Sequence, residues 1–146
     1  MVRTILLALV AAAAFAQGLG KWKVNLAKSS YDPGPPPVSE TYTFEASPGG
    51  EIRTRVSIGR DGRHLTHRMV LNFDGKCYPF AGHRHADEIC TREISDHIVV
   101  STFKRRGQVV LTGTRVISDD GKAITMVLDG TGVDGKIHTV RVLERQ

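Results

Sequence analysis

The chain contains six histidines, which are common metal ligands. His64 and His67 are three residues apart, a spacing that suits a helix but places the two imidazoles on opposite faces of a strand. His83 and His85 are two apart with Asp87 nearby, so an extended loop would present both imidazoles on one side. A structural zinc site takes four ligands, and no further ligand is assured here. We therefore predict no metal site, with one at His83 and His85 as the alternative.

Catalytic side chains need defined partners, and this sequence shows no such arrangement. The serines Ser57, Ser101 and Ser118 lack the Gly-x-Ser-x-Gly context that holds a nucleophile, and no pair of carboxylates stands in a recognisable motif. There is also no glycine-rich phosphate loop between a strand and a helix. We therefore predict that the protein is not an enzyme and needs no cofactor.

The basic residues do not predict nucleic-acid binding. There are 20 lysines and arginines against 15 acidic residues, a net charge of +5. The densest basic run, at 104–106, adjoins Gly107 and suits the tip of a hairpin. Nucleic-acid modules commonly combine basic residues with exposed aromatic ones, and aromatic residues are only 6% of this chain. We expect a solvated turn there and no nucleic-acid partner, with a phosphate-binding patch as the alternative.

Residues 1–16 have the layout of a secretory signal peptide. A basic residue, Arg3, precedes an apolar stretch at 5–15, and the small residues Ala14 and Ala16 form a cleavage signal. The apolar stretch is too short to span a bilayer permanently, and no later one is longer. We expect residues 17–146 to form one exported domain, periplasmic or secreted, with no membrane span.

Cys77 and Cys90 are the two cysteines of the chain. An even number of cysteines in an oxidising compartment predicts a disulfide. The pair Asp74-Gly75 turns the chain before Cys77, and Cys90 lies at the start of an alternating run, so neighbouring strands would bring the two together. Two free thiols are the alternative.

Five Asp-Gly pairs, beginning at positions 61, 74, 120, 129 and 134, punctuate the chain between alternating apolar and polar stretches. Asp-Gly tolerates the positive φ of a tight hairpin, so the pattern predicts antiparallel strands. We count about ten strands in meander order, and closing such a sheet removes its unpaired edges. The prediction is an all-β, antiparallel, up-and-down barrel of about eight to ten strands.

The alternation also assigns residues to the two faces of each strand. We expect the stretches at 38–46, 51–58 and 63–73 each to turn one row of side chains toward the barrel interior. These rows are Val38, Tyr42, Phe44, Ala46, Ile52, Thr54, Val56, Ile58, Leu65, His67, Met69, Leu71 and Phe73. The intervening polar residues at 51, 53, 55 and 57 are expected to face solvent. His67 would be either a hydrogen-bonded core residue or a polar contact for a ligand.

The two ends of this predicted barrel carry a family signal. The sequence Gly-Lys-Trp at 20–22 opens the first strand, and Arg141 lies on the last. In these features the chain resembles the calycin superfamily, the lipocalins and fatty-acid-binding proteins. The stretches at 20–29, 73–79 and 142–146 are similar to small exported bacterial lipocalin-like proteins of unassigned role. The resemblance implies that the first and last strands pair and that Arg141 packs across Trp22 to close the barrel.

The chain departs from the fatty-acid-binding proteins at two points. A proline-rich connector at 31–37 stands where they have a helix pair, and Leu143 stands where they have a tyrosine that grips a carboxylate together with the terminal arginine. Arg141 could still receive a ligand carboxylate through two hydrogen bonds, and that role does not exclude contact with Trp22.

We predict a non-catalytic barrel that binds a small hydrophobic or amphipathic ligand in its interior. The candidate ligand-binding residues are Arg141, His67, Tyr42, Phe44 and Met69. The alternative is a barrel filled by its own side chains that binds or inhibits another envelope protein through its outer surface. A cavity of about 300 Å³ or more would favour the first hypothesis.

Overall fold

The computed structural model describes residues 18–146, which form one antiparallel sheet of eleven strands. The strands are β1 (Gly20–Val24), β2 (Ser30–Asp32), β3 (Ser39–Ser47), β4 (Gly50–Ile58), β5 (His64–Asn72), β6 (Asp74–Pro79), β7 (Glu88–Ser95), β8 (Ile98–Arg105), β9 (Gln108–Ile117), β10 (Ala123–Gly132) and β11 (Gly135–Arg145). One 3-10 turn, Leu26–Lys28, is the sole helical element among these residues. The predicted all-β meander is confirmed. The predicted signal peptide, at 1–16, lies outside the described residues.

Hydrogen bonding places the strands in the order β5-β4-β3-β1-β11-β10-β9-β8-β7-β6, and the short β2 adds to β11. The sheet curls into a nearly closed barrel whose two edge strands are β5 and β6. β1 pairs with β11, so the predicted contact between the first and last strands is confirmed. No helix within residues 18–146 is long and apolar enough to cross a membrane.

Three of the five Asp-Gly pairs reach into turns between strands, at 61, 120 and 134, as predicted. The other two, at 74 and 129, lie within β6 and β10. Gly130 is needed there for a close approach, because a Cβ atom would stand 2.1 Å from the carbonyl oxygen of Val110 on β9. A glycine in a strand can thus mark a tight strand contact as well as a turn.

Two apolar clusters fill the barrel. The Trp22 cluster consists of Trp22, Val24, Tyr42, Phe44, Ile117, Ile124 and Leu143. The Phe103 cluster consists of Met69, Leu71, Phe80, Ala86, Ile89, Phe103, Leu111 and Ile137. Three residues predicted to face inward, Val38, Ala46 and Leu65, are exposed. Val38 and Leu65 lie at the barrel end beside the turn at 59–63, and Ala46 lies beside the turn between β3 and β4.

Strand β4 turns its charged face inward, which reverses the sequence prediction. Glu51 is 3% exposed and Arg53 is 9% exposed. The apolar row predicted to be buried is instead partly exposed on the outer face and comprises Ile52, Thr54, Val56 and Ile58.

The register of β4 with its neighbours explains the reversal. Arg53 lies directly opposite Phe44 of β3 and Met69 of β5. Residues directly opposite in antiparallel strands project to the same side of the sheet. Because Phe44 and Met69 belong to the two buried clusters, Arg53 must point inward with them.

The predicted disulfide is confirmed: Cys77 is bonded to Cys90. The two residues are directly opposite each other in the β6–β7 ladder. Because β6 is an edge strand that pairs only with β7, the bond links this edge of the sheet covalently to β7.

Candidate functional site

A cavity of about 100 Å³ lies inside the barrel, in contact with both apolar clusters. Its apolar wall comprises Met69, Val99, Phe103, Val127, Leu128 and Met126. Its polar wall includes Tyr42, Arg53, Arg55, His67, His83, Ser101, Thr114, Arg115 and Arg141. Gly113 completes the lining, and a side chain added there would point toward Phe103 and Leu128. The cavity is therefore amphipathic, with four arginines on its polar side.

Arg141 is neutralised by the buried carboxylate of Glu40. Its Nε donates a hydrogen bond of 2.5 Å to Glu40 Oε1, and the two side chains are 12% and 3% exposed. Glu40 also accepts from the Ser57 hydroxyl at 2.7 Å and from the Tyr31 hydroxyl at 3.2 Å. The Arg141 guanidinium lies 5.0 Å from the centre of the Tyr31 ring. These contacts hold Arg141 in an ion-pair network at one side of the cavity.

A second buried carboxylate, Glu51, forms ion pairs with two arginines. Arg115 donates to its Oε1 at 2.5 Å, whereas the Arg53 guanidinium stays 3.7 Å from the same oxygen. Both guanidinium groups also lie over the ring of Phe44, at 4.9 Å for Arg115 and 5.5 Å for Arg53. Glu51 is therefore bonded closely to Arg115 and only loosely paired with Arg53.

The arginine Nε–H groups are incompletely used. Those of Arg53, Arg55 and Arg115 are buried and have no hydrogen-bond partner within the described part of the chain. Burial, followed by repulsion from Arg115, lowers the pKa of Arg53 to about 10. A group with that pKa remains protonated at neutral pH, so the interior contains an under-compensated positive charge.

Two histidines border the cavity near Arg55. The ring of His83, from the loop between β6 and β7, stacks on Phe80 at 4.9 Å and on Phe103 at 5.5 Å between ring centres. Burial, then repulsion from His67, His85 and Arg55, lowers the pKa of His83 to about 4. Burial, then Arg55 and Arg53, also lowers the pKa of His67. Both rings are therefore neutral at pH 7.

The alternative metal site at His83 and His85 has both Nδ1 atoms engaged. His83 Nδ1 accepts from the backbone N–H of His85 at 3.2 Å, and His85 Nδ1 accepts from the backbone N–H of Val133 at 3.1 Å. Among residues 18–146 no group of three or more histidine, cysteine, aspartate or glutamate side chains is placed to hold a metal ion.

Comparisons with known proteins support the assignment of the fold and go no further. No protein-family model matches the chain, and no curated protein matches it. The crystal structure of zebrafish ileal bile acid-binding protein complexed with cholic acid does match, with a TM-score of 0.55. The match covers 89% of this chain and 99% of that chain at 14% sequence identity. The chain has the calycin fold.

The calycin barrel brings four of the five predicted ligand-binding residues to its cavity: Arg141, His67, Tyr42 and Met69. Phe44 is not among the lining residues, because the guanidinium groups of Arg53 and Arg115 cover its ring. Contact of any of these residues with a ligand stays a prediction.

The predicted packing of Arg141 across Trp22 needs correction, because Arg145 takes that place in the calycin barrel. The Arg145 guanidinium lies 4.3 Å from the centre of the Trp22 ring, and the β1–β11 register sets the two residues opposite each other. Arg141 lies four residues earlier on β11, about 13 Å along the strand at 3.3 to 3.4 Å per residue. It pairs with Glu40 instead.

Sequence reasoning missed several residues of the site. Glu40 shares a strand face with Tyr42 and Phe44, so its burial could have been read from the two-residue period of β3. Arg53 and Arg55 gave no such signal, because the other face of β4 was the more apolar one.

Proposed function

We propose that this calycin barrel binds a small amphipathic molecule in its interior and does not alter it chemically. The cavity carries the proposal, because it joins an apolar wall to arginine side chains with unpaired N–H groups. Ligand sites typically combine a mostly apolar surface with a few polar groups that orient the ligand. The similar bile acid-binding protein was crystallised with cholic acid, which supports ligand binding by a barrel of this type.

The size of the cavity favours a compact ligand. Its volume of about 100 Å³ is well below the roughly 300 Å³ at the lower end of ordinary ligand pockets. An apolar cavity of about 150 Å³ is sufficient to bind benzene. We therefore propose an aromatic ring or a short alkyl chain as the apolar part of the ligand.

The same small volume favours one alternative function, a barrel filled mostly by its own side chains that binds an envelope protein through its outer surface. Several large apolar side chains are exposed on that surface, among them Val109, Ile94 and Val70. Under this alternative no small molecule would enter the cavity.

A non-catalytic role is supported by the use of the two buried carboxylates. Glu40 and Glu51 each accept a short hydrogen bond from an arginine. A carboxylate held in this way is poorly suited to accept a proton from a substrate.

We also propose export of the protein. The sequence at 1–16 supports it, and the Cys77–Cys90 disulfide is of the kind that persists in oxidising compartments. The intact mass of protein isolated from its own host tests the proposal. A chain beginning near Gln17 and carrying the disulfide is expected, and an uncleaved Met1 would contradict export through this signal.

Ligand entry is tested by filling the cavity. Gly113→Leu places a side chain between Phe103 and Leu128, whereas Thr112→Leu adds the same side chain to the exposed neighbouring position. We expect benzoate, octanoate or benzamide to shift NMR resonances of lining residues such as Met126 in the wild type and Thr112→Leu. Binding should be lost in Gly113→Leu. Binding unaffected by Gly113→Leu, or no binding at millimolar concentrations, would contradict the proposal.

A further inference from the structure

The barrel interior carries more positive than negative charge. Four arginines line the cavity: Arg53, Arg55, Arg115 and Arg141. Two buried carboxylates, Glu40 and Glu51, oppose them. Glu93 adds a partly exposed carboxylate at the end where Glu51 and Arg115 lie. Because buried charges normally require partners, this imbalance favours the binding of an anionic ligand.

The four arginines differ in how completely they are paired. Arg141 bonds to Glu40, and Arg115 bonds to Glu51. Arg53 stays 3.7 Å from Glu51, beyond hydrogen-bond distance. No ion pair within residues 18–146 joins Arg55 to a carboxylate within 4.0 Å, and its buried Nε–H lacks a hydrogen-bond partner. The uncompensated charge is therefore concentrated on β4.

Arg53 and Arg55 lie two residues apart on the inward face of β4, so both guanidinium groups face the cavity. Across the ladders, Arg55 is opposite Tyr42 on β3 and His67 on β5. A phenol and a neutral imidazole can donate hydrogen bonds without bringing a negative charge. The surroundings of the arginine pair thus offer hydrogen-bond donors, and the two buried carboxylates nearby, Glu51 and Glu40, are already bonded to Arg115 and Arg141.

We propose that the ligand carries an oxyanion and that Arg53 and Arg55, rather than Arg141, bind it. The inference rests on the proposed function, since it assigns the polar end of the same ligand. The ligand class is a compact acid with an apolar body, such as an aryl or short alkyl carboxylate or sulfonate. Guanidinium groups recognise such oxyanions through charge-assisted hydrogen bonds.

The apolar wall lies where the body of such an acid would need it. Met69 is opposite Arg53 in the β4–β5 ladder, and Phe103, Met126 and Leu128 line the same cavity. An acid whose oxyanion is bound by the β4 arginines would therefore bring its apolar body into contact with these side chains.

The test compares each acid with its neutral amide. Titration calorimetry of the wild type with benzoate, benzamide, octanoate and octanamide should give at least about tenfold tighter binding of the acids. Arg55→Gln should weaken the binding of the acids by at least about tenfold and leave the amides unchanged. Arg68→Gln, an exposed position on β5, is the matched control and should bind like the wild type.

A second measurement uses the wild type and therefore does not depend on whether a variant folds. In ¹⁵N spectra of the wild type, benzoate should shift the Nε–H resonances of Arg53 and Arg55 and leave that of Arg141 in place. Equal binding of acid and amide, or a shift at Arg141 alone, would overturn this inference while the proposed function stands. If neither acids nor amides bind the wild type, the proposed function and this inference both fail.

Discussion

Arg145 covers Trp22 at the closure of the barrel, with the guanidinium carbon 4.3 Å from the centre of the indole ring. The indole N–H donates to the carbonyl oxygen of Gly18 at 3.0 Å, and Arg145 donates to the carbonyl oxygen of Leu19 at 2.9 Å. The pair therefore fastens the first described residues to the last strand. The register of β1 with β11, which sets Trp22 opposite Arg145, therefore decides which side chain covers the indole ring.

Replacing Arg145 should loosen this closure. Arg145→Gln removes the cation–π contact, for which we expect a loss of about 1 kcal/mol in the free energy of unfolding. Trp22 should become more accessible to acrylamide quenching. Lys136→Gln, at an exposed position of the same strand, should leave both quantities unchanged. Unaltered quenching in Arg145→Gln would show that the stacking does not shield the indole.

Removing the Glu40 charge should be costly, because it leaves the Arg141 guanidinium buried without its counter-ion. We expect Glu40→Gln to lower the free energy of unfolding in urea by about 3 kcal/mol. The double variant Glu40→Gln/Arg141→Met removes both charges and should recover part of that loss. A single variant as stable as the wild type would mean that solvent already compensates Arg141.

The disulfide should matter mainly to the edge strand β6. Cys77→Ser/Cys90→Ser frees two residues separated by 13 positions, and a loop of this length predicts a loss of about 3 kcal/mol. Amide hydrogen exchange should accelerate in β6 more than in β9, which is paired on both sides. Uniform acceleration across all strands would contradict a local role. Reduction of the wild type by dithiothreitol provides the unmutated comparison.

Acid should destabilise the protein through His83. Burial and the neighbours His67, His85 and Arg55 lower its pKa from 6.5 to about 4 in the folded state. As the pH falls from 6.5 towards 4, the unfolded chain binds a proton that the folded chain does not, so stability decreases. We expect a loss of the order of 1 kcal/mol, discounted because the ring is partly exposed.

The measurement for His83 is the slope of unfolding free energy against pH rather than its absolute value. His83→Phe keeps an aromatic ring beside Phe80 and Phe103 and should flatten the slope between pH 4 and 6.5. His64→Phe, at an exposed position of β5, should retain the wild-type slope. Equal slopes in all three proteins would assign the acid sensitivity to other groups.

Local patterns in the sequence were sufficient for the fold class. Alternation and turn residues depend on near neighbours, and they located most strands and the Cys77–Cys90 pair. The pairing of β1 with β11 was instead implied by the resemblance to the calycins. The turn signal itself was less specific, because Asp129-Gly130 lies within β10. A glycine there meets a steric need set by a different strand.

The sequence by itself determined that β4 has one apolar and one charged face, since a strand repeats every two residues. Only the tertiary structure decided which face is buried, because that depends on the register with Phe44 and Met69 on the flanking strands. Partner strands, rather than the hydrophobicity of β4, thus brought Arg53 into the cavity. The register of β11 likewise placed Arg145, and not Arg141, against Trp22, because a shift of four residues moves a side chain along the barrel without changing its face.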